Sequence, residues 1–180
     1  MKSIKDINQA NREKRRKETA EVFTPPWLTK EILDKMPDGT WREDKTFFDP
    51  SCGNGNMLVE VLQEKINRGH NPTSALKTVY GLDIKSDNIR ECRLRLLDIV
   101  RRKKEISKTD IETVFHNVRW LNQDSWPEGT LSYDMSFEGI CDQTVIDEWY
   151  RVINTEGCCV VNLPVPDMDF PEIDEIKFEG

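Results

Sequence analysis

Two acids, Asp49 and Asp83, each close a short apolar run, and the first is followed at once by Pro50-Ser51-Cys52-Gly53-Asn54-Gly55-Asn56. Thr46-Phe47-Phe48-Asp49 and Thr78-Val79-Tyr80-Gly81-Leu82-Asp83-Ile84 have the β-branched and aromatic content of buried strands. Both carboxylates then come to the carboxyl ends of strands, where open α/β sheets bind ligands. Gly53 and Gly55 let the backbone turn sharply and approach a ligand with no side chain between, and the helix that follows presents free N–H groups. An acid at the end of a second strand can accept from both hydroxyls of a ribose. The loop lacks G-x-G-x-x-G and the Gly-Lys-Ser/Thr of a phosphate loop. Asp49 would also repel a phosphate; a cationic sulfonium and an amino-acid ammonium suit it better. Taken alone, the glycine pair reads equally as a plain strand-to-helix turn.

The elements that must position these residues follow from periodicity and punctuation. Thr24 is placed to cap a helix with Pro25 and Pro26 in its first turn, running through Ile32, Leu33 and Met36 and stopping at Pro37-Asp38-Gly39. After the glycine loop, Met57, Leu58, Val61, Leu62 and Ile66 mark an amphipathic helix that Gly69 ends. Asn71-Pro72 opens a short helix, and Ser86 is expected to cap a long one carrying Ile89, Cys92, Leu96, Leu97 and Val100. Its basic end, Arg101-Arg102-Lys103-Lys104, suits the negative pole of a helix. Thr113-Val114-Phe115-His116 reads as a third strand or the approach to one, and Tyr133-Asp134-Met135-Ser136-Phe137 as a weak fourth. A helix over 145–152, a turn at Glu156-Gly157 and a buried strand over 158–163 complete the series. Strands alternating with helices predict a doubly wound, mostly parallel α/β sheet. The expected division is a basic arm or helix over residues 1–20, one domain over 21–165, and an acidic tail over 166–180.

Asp49-Pro50-Ser51-Cys52-Gly53-Asn54-Gly55-Asn56 closely resembles the cofactor motif of adenine-specific (N6) DNA methyltransferases, and Phe23-Thr24-Pro25 resembles the segment that precedes it in that family. Tyr80-Gly81-Leu82-Asp83-Ile84 looks like the next family motif, and Asn122-Gln123-Asp124-Ser125 like its acidic loop; the similarity covers about residues 21–126. The resemblance implies a Rossmann-like methyltransferase fold, here minimal or truncated, that binds S-adenosylmethionine. Phe23 and Thr24 would close over the methionine moiety, with Asp49, Ser51, Cys52, Gly53, Gly55 and Asn56 lining it. Asp83 would hold the ribose, Ile84 would pack on the adenine and Asp124 would accept from the adenine amino group. For Ile84 the plain alternative is core packing, and for Asp124 a loop or capping acid.

The match breaks at the catalytic motif. Family members flip out the target base and hold its amine with Asn/Asp-Pro-Pro-Tyr/Phe, and the segment after Asp134 reads Ser136-Phe137-Glu138-Gly139 instead. Asn162-Leu163-Pro164-Val165 is a degenerate candidate, lacking the first proline and the stacking aromatic; it makes Asn162 and Pro164 the catalytic candidates. A separate sequence-recognition region is not evident either. The leading expectation is therefore an S-adenosylmethionine-binding relative with weak or lost catalysis. The alternatives are an active minimal N6-adenine methyltransferase, and a regulatory or decoy module that occupies a nucleic-acid-processing partner.

Charge is distributed unevenly along the chain, whose net is −7. Residues 1–20 hold seven Lys/Arg against three acids, a net of +4, while residues 121–180 hold fourteen acids against Arg151 and Lys177, a net of −12. DNA contact is expected through the basic arm or a partner subunit, since phosphate contact dominates nonspecific affinity. Five cysteines and two histidines without paired spacing argue against a zinc site. No apolar run approaches a membrane span and no secretory signal is seen, so a cytoplasmic protein is expected; a phage or mobile-element source and a restriction-modification setting are what the resemblance implies, not the composition.

Overall fold

The structure, a computed structural model, describes Lys17, residues 23–120 and residues 143–158. Among the described residues three parallel strands form a sheet: β1 (Phe47–Asp49), β2 (Val79–Asp83) and β3 (Val118–Trp120), in the spatial order β1-β2-β3. The helices are α1 (Pro26–Asp34), α2 (Asn56–Asn67), α3 (Pro72–Leu76), α4 (Ser86–Arg101), α5 (Lys108–Asn117) and α6 (Gln143–Glu156), with a 3-10 turn at Asp38–Trp41. This is the expected α/β alternation around a parallel sheet. The predicted run 133–137 and all but Cys158 of the predicted run 158–163 lie outside the described residues, as do the basic arm before Lys17 and the acidic tail.

Strand β2 lies between the other two, and α2 and α4 pack against the sheet. Val61, Leu62, Ile89, Cys92, Leu96 and Leu97 are wholly buried. Gly81 shows how closely α2 approaches: a Cβ there would fall 2.6 Å from Leu58 Cδ1 and 2.9 Å from Cys52 Sγ. Any larger residue would push the helix and the loop off the strand. Helix α6 adds a stripe of Ile146, Trp149, Val152 and Ile153, whose spacing places them on one face. Trp149 meets Phe115 of α5 edge to face at 4.8 Å.

Three local expectations are corrected. Residues 113–116 form the last turns of α5, and the strand begins only at Val118. Ser107 caps that helix by accepting from the Asp110 N–H, while the Asp110 carboxylate accepts from the Ser107 N–H. With its start pinned by this reciprocal box, Ile111, Val114 and Phe115 fall at helical spacing on the buried side, and period 3.6 overrides the strand-like composition. Ser86 lies inside α4 rather than before it; Lys85 is the N-cap, without a side-chain cap bond. Thr24 is likewise not a cap, since Pro25 holds that position; Pro26 does occupy the first turn, as expected. Asn71 caps α3 as expected, accepting from the Thr73 and Ser74 N–H groups.

The amino-terminal edge of the sheet is closed by buried polar groups that are fully engaged. Lys65 of α2 donates to the Lys45 carbonyl and to Thr78 Oγ1 at 2.7 Å, which frames the entries to β1 and β2. Burial holds its ammonium pKa below the ordinary lysine value. Asn117 Nδ2 reaches the carbonyls of Leu76, Lys77 and Val79. Arg93 donates to the Val118 carbonyl at 2.9 Å and lies 4.1 Å over the Phe115 ring. Asp110, fully covered, accepts from Lys104 Nζ, Ser107 Oγ and Thr73 Oγ1 as well as from the Ser107 N–H. Burial works against its charge, but these donors outweigh it and hold its carboxyl below the ordinary aspartate value.

Candidate functional site

The opposite, carboxyl-terminal edge carries the two acids noted in the sequence. Asp49 ends β1 level with Gly81, and Asp83 ends β2 level with Trp120. Asp49 Oδ1 accepts from the Ser51 N–H at 3.1 Å, and among the described residues no Lys or Arg is paired with it. Burial, reinforced by the neighbouring Asp83 charge, raises its carboxyl pKa above the ordinary value, against the Ser51 hydrogen bond. A half-buried carboxylate with no cation beside it favours a positively charged ligand group.

Asp83 is more occupied. Its Oδ2 accepts from the Gly53 N–H at 3.0 Å, and its Oδ1 accepts from the Lys85 N–H at 2.8 Å and from Asn88 Nδ2 at 3.3 Å. A carboxylate has about four acceptor positions, so these bonds leave roughly one. The second strand's acid therefore pins the glycine loop, and two ribose hydroxyls could both bond to it only if one of these donors yielded.

The loop between the acids is stitched to its surroundings by backbone. Cys52 N–H donates to the Leu82 carbonyl and Gly55 N–H to the Cys52 carbonyl, both at 2.8 Å. Gly53 (φ 52°) and Gly55 (φ 83°) are left-handed, the conformation that glycine adopts without penalty. Each is also forced by a neighbour: a Cβ on Gly53 would fall 2.9 Å from the Phe23 ring, and one on Gly55 would overlap the Cys92 sulfur. Gly55 is the N-cap of α2 with no side-chain cap bond, so the helix start offers N–H groups to an acceptor. The hydrogen bond with Cys92, and then burial, push the Cys52 thiol far above its ordinary value. Its sulfhydryl is buried and donates to the Gly53 carbonyl at 3.6 Å.

Around this loop the structure brings several predicted residues together. Phe23 lies against Gly53; the Thr24 carbonyl accepts from Asn56 Nδ2 at 2.8 Å; Ser51 is exposed beside Asp49. Ile84 is 49% exposed, which rules out the plain core-packing alternative within the described residues. Its carbonyl accepts from the Trp120 indole N–H at 3.0 Å, so β3 holds the residue that follows Asp83. Asp124, Asn162 and Pro164 lie outside the described residues.

The sequence matches the N-6 DNA Methylase family over residues 7–140, well over half of the chain. The chain belongs to that family. Among curated proteins it is similar to "Type II methyltransferase M.VspI" of Vibrio sp. (strain 343), at 31% identity over 77 residues. Those residues make up 43% of this chain and 16% of the relative, so this N-6 DNA Methylase member spans only a small part of the curated protein it matches. No solved structure matched the chain.

Three residues of this family member's site escaped sequence reading. Glu91 and Arg95, one turn apart on α4, reach the loop at Asn54 and Asn56, and Trp120 holds Ile84. The signal for the first two was a polar i, i+4 pair beside the apolar positions Ile89, Cys92 and Leu96; Trp120 carried none. Among the described residues no cluster of His, Cys, Asp and Glu could hold a metal ion, and no helix is long and apolar enough to cross a membrane.

Proposed function

We propose that this member of the N-6 DNA Methylase family binds S-adenosylmethionine at the carboxyl ends of β1 and β2 and transfers methyl weakly or not at all. The observation that carries the cofactor reading is the half-buried Asp49, paired with no cation among the described residues, beside the glycine loop and the uncapped start of α2. The donor set fits the ligand: a carboxylate for the cationic end, glycine backbone where a side chain would intrude, and an exposed apolar residue, Ile84, next to the second acid. Asp49, Cys52, Gly53, Gly55 and Asn56 would surround the methionine end beneath Phe23 and Thr24. Asp83 would meet the ribose through its remaining acceptor position, and Asp124 would receive the adenine amine. When bound, S-adenosylmethionine supplies an electrophilic methyl group on a sulfonium.

Weak catalysis rests on the sequence. Presenting an exocyclic amine to a methyl donor requires acceptors and a stacking surface held in place, and Asn162-Leu163-Pro164-Val165 offers only part of that set. DNA would be met through the basic residues 1–20 or a partner subunit, since the acidic stretch 121–180 repels phosphate. Titration calorimetry of the chain with S-adenosylmethionine tests the first half; no heat at millimolar ligand defeats it. Transfer of labelled methyl to adenine-containing DNA tests the second. Robust transfer that disappears in Asn162→Ala would replace the weak-catalysis reading with that of an active minimal enzyme.

A further inference from the structure

Helix α4 engages the glycine loop through two side chains. Glu91 Oε1 accepts from Asn54 Nδ2 at 2.9 Å. One turn on, Arg95 Nη1 donates both to the Asn54 carbonyl at 2.7 Å and to Asn56 Oδ1 at 2.8 Å. The other end of the same amide, Asn56 Nδ2, donates to the Thr24 carbonyl at 2.8 Å. An unbroken relay therefore runs from a helix guanidinium, through one side-chain amide, to the backbone of the strap whose Phe23 ring lies on Gly53. With Oδ1 taken by a cation, the Asn56 amide can turn only its donor end toward Thr24. The strap itself contains Pro25 and Pro26, which contribute no backbone N–H to hold it.

We propose that Arg95 is a positioning residue that closes the Phe23–Thr24 strap on the glycine loop by orienting Asn56, and through the strap sets affinity for the methionine end of the ligand without touching it. The affinity half rests on the cofactor reading above; the closure half does not. Both Arg95 bonds leave from one nitrogen, so an ammonium that reaches the same place can replace them. A carboxylate at position 56 keeps the Arg95 contact but loses the donor that Thr24 needs. That contrast separates the relay from simple packing by the arginine stem.

The test is amide hydrogen exchange of the full chain without ligand, read at residues 23–24, for the parent, Arg95→Met, Arg95→Lys and Asn56→Asp, with the urea midpoint of each. Exchange at the strap should speed up roughly tenfold in Arg95→Met and Asn56→Asp, the scale of one lost charge-supported hydrogen bond. Arg95→Lys should stay near the parent, and Asn56→Asp should keep the parent's urea midpoint. Unchanged strap exchange in Asn56→Asp overturns the relay. So does acceleration spread evenly over the whole chain in both variants, which would mark a structural role only. Calorimetry with S-adenosylmethionine should show dissociation constants rising in step with strap exchange. If the parent gives no heat, the cofactor reading falls, while the exchange data still decide the closure.

Discussion

Asp110 and Asp49 lie toward opposite ends of the described strands and are treated in opposite ways. Asp110, at the amino-terminal edge, is fully covered, accepts from Lys104, Ser107 and Thr73, and is held below its ordinary pKa. Asp49, at the carboxyl-terminal edge, is half-buried, accepts from one backbone N–H and is pushed above it. A buried charge is costly unless paired and hydrogen-bonded. One edge meets that requirement from within the chain, and the other leaves it for something to be bound. On the proposed reading, the difference separates a residue that keeps the protein folded from one that would meet the ligand.

The largest effect should come from breaking the satisfied edge. Asp110→Ala breaks the capping box and takes an acceptor from Lys104, Ser107 and Thr73, so urea unfolding should show a loss of about 2–4 kcal/mol. Below its melting range, the variant should still bind S-adenosylmethionine like the parent. Weakened binding in fully folded Asp110→Ala would mean that the two edges are not separable.

Asp49→Asn should do the reverse. S-adenosylmethionine affinity should fall by about 2 kcal/mol, the scale of a hydrogen bond to a charged group, while the thermal midpoint holds or rises because a poorly compensated carboxylate is gone. A fall in the midpoint would show that Asp49 is structural after all.

Protonation sharpens the same contrast. The folded pKa of Asp49 is raised, so the folded chain binds this proton more readily, and stability is lost as pH rises from about the ordinary 3.8 through the raised value. The lowered Asp110 works the other way: its contribution is complete above 3.8 and is lost as pH falls through its folded pKa. Urea midpoints of the parent and Asp49→Asn should therefore differ at neutral pH and converge on acidification, before the Asp110 contribution fails. A gap that stays constant across that range would remove Asp49 from the account.

A smaller effect is expected at Gly55, where an alanine meets both a left-handed backbone and the Cys92 sulfur. Gly55→Ala should cost about 1–3 kcal/mol, and adding Cys92→Ala should recover only the steric part. Full recovery would show that the backbone conformation carries no penalty there. Least of all, Asn71→Ala should cost about 1 kcal/mol in urea through loss of the α3 cap, with ligand affinity untouched.

The carboxyl-terminal edge was far more legible in the sequence than the amino-terminal one. Asp49, Gly53, Gly55 and Asp83 are local: a strand, a turn and an acid adjoin in the chain, so composition and order predict their placement. Asp110 depends on Thr73 and Lys104, and Asn117 on three carbonyls around α3 and β2, partners that only the folded chain brings together. One local clue was present, since Ser107-Lys108-Thr109-Asp110 has the Ser-x-x-acid spacing of a capping box. Thr113-Val114-Phe115 read as a strand because β-branched and aromatic residues suit strands in isolation, whereas here their spacing buries a helix face. Glu91 and Arg95 could be placed on a helix from sequence, but not over the loop; that required the packing of α4 against α2.

The three donors held by Asp83 would also set how a ribose-bearing ligand arrives. A ribose presenting two hydroxyls would find about one vacant acceptor position, so its second bond could form only after the Gly53 N–H, the Lys85 N–H or Asn88 Nδ2 had let go. Binding would then be an exchange of donors, with that release as a first-order step ahead of the final contact. In rapid mixing, the observed rate of S-adenosylmethionine association should climb with concentration and then level off at the rate of that release.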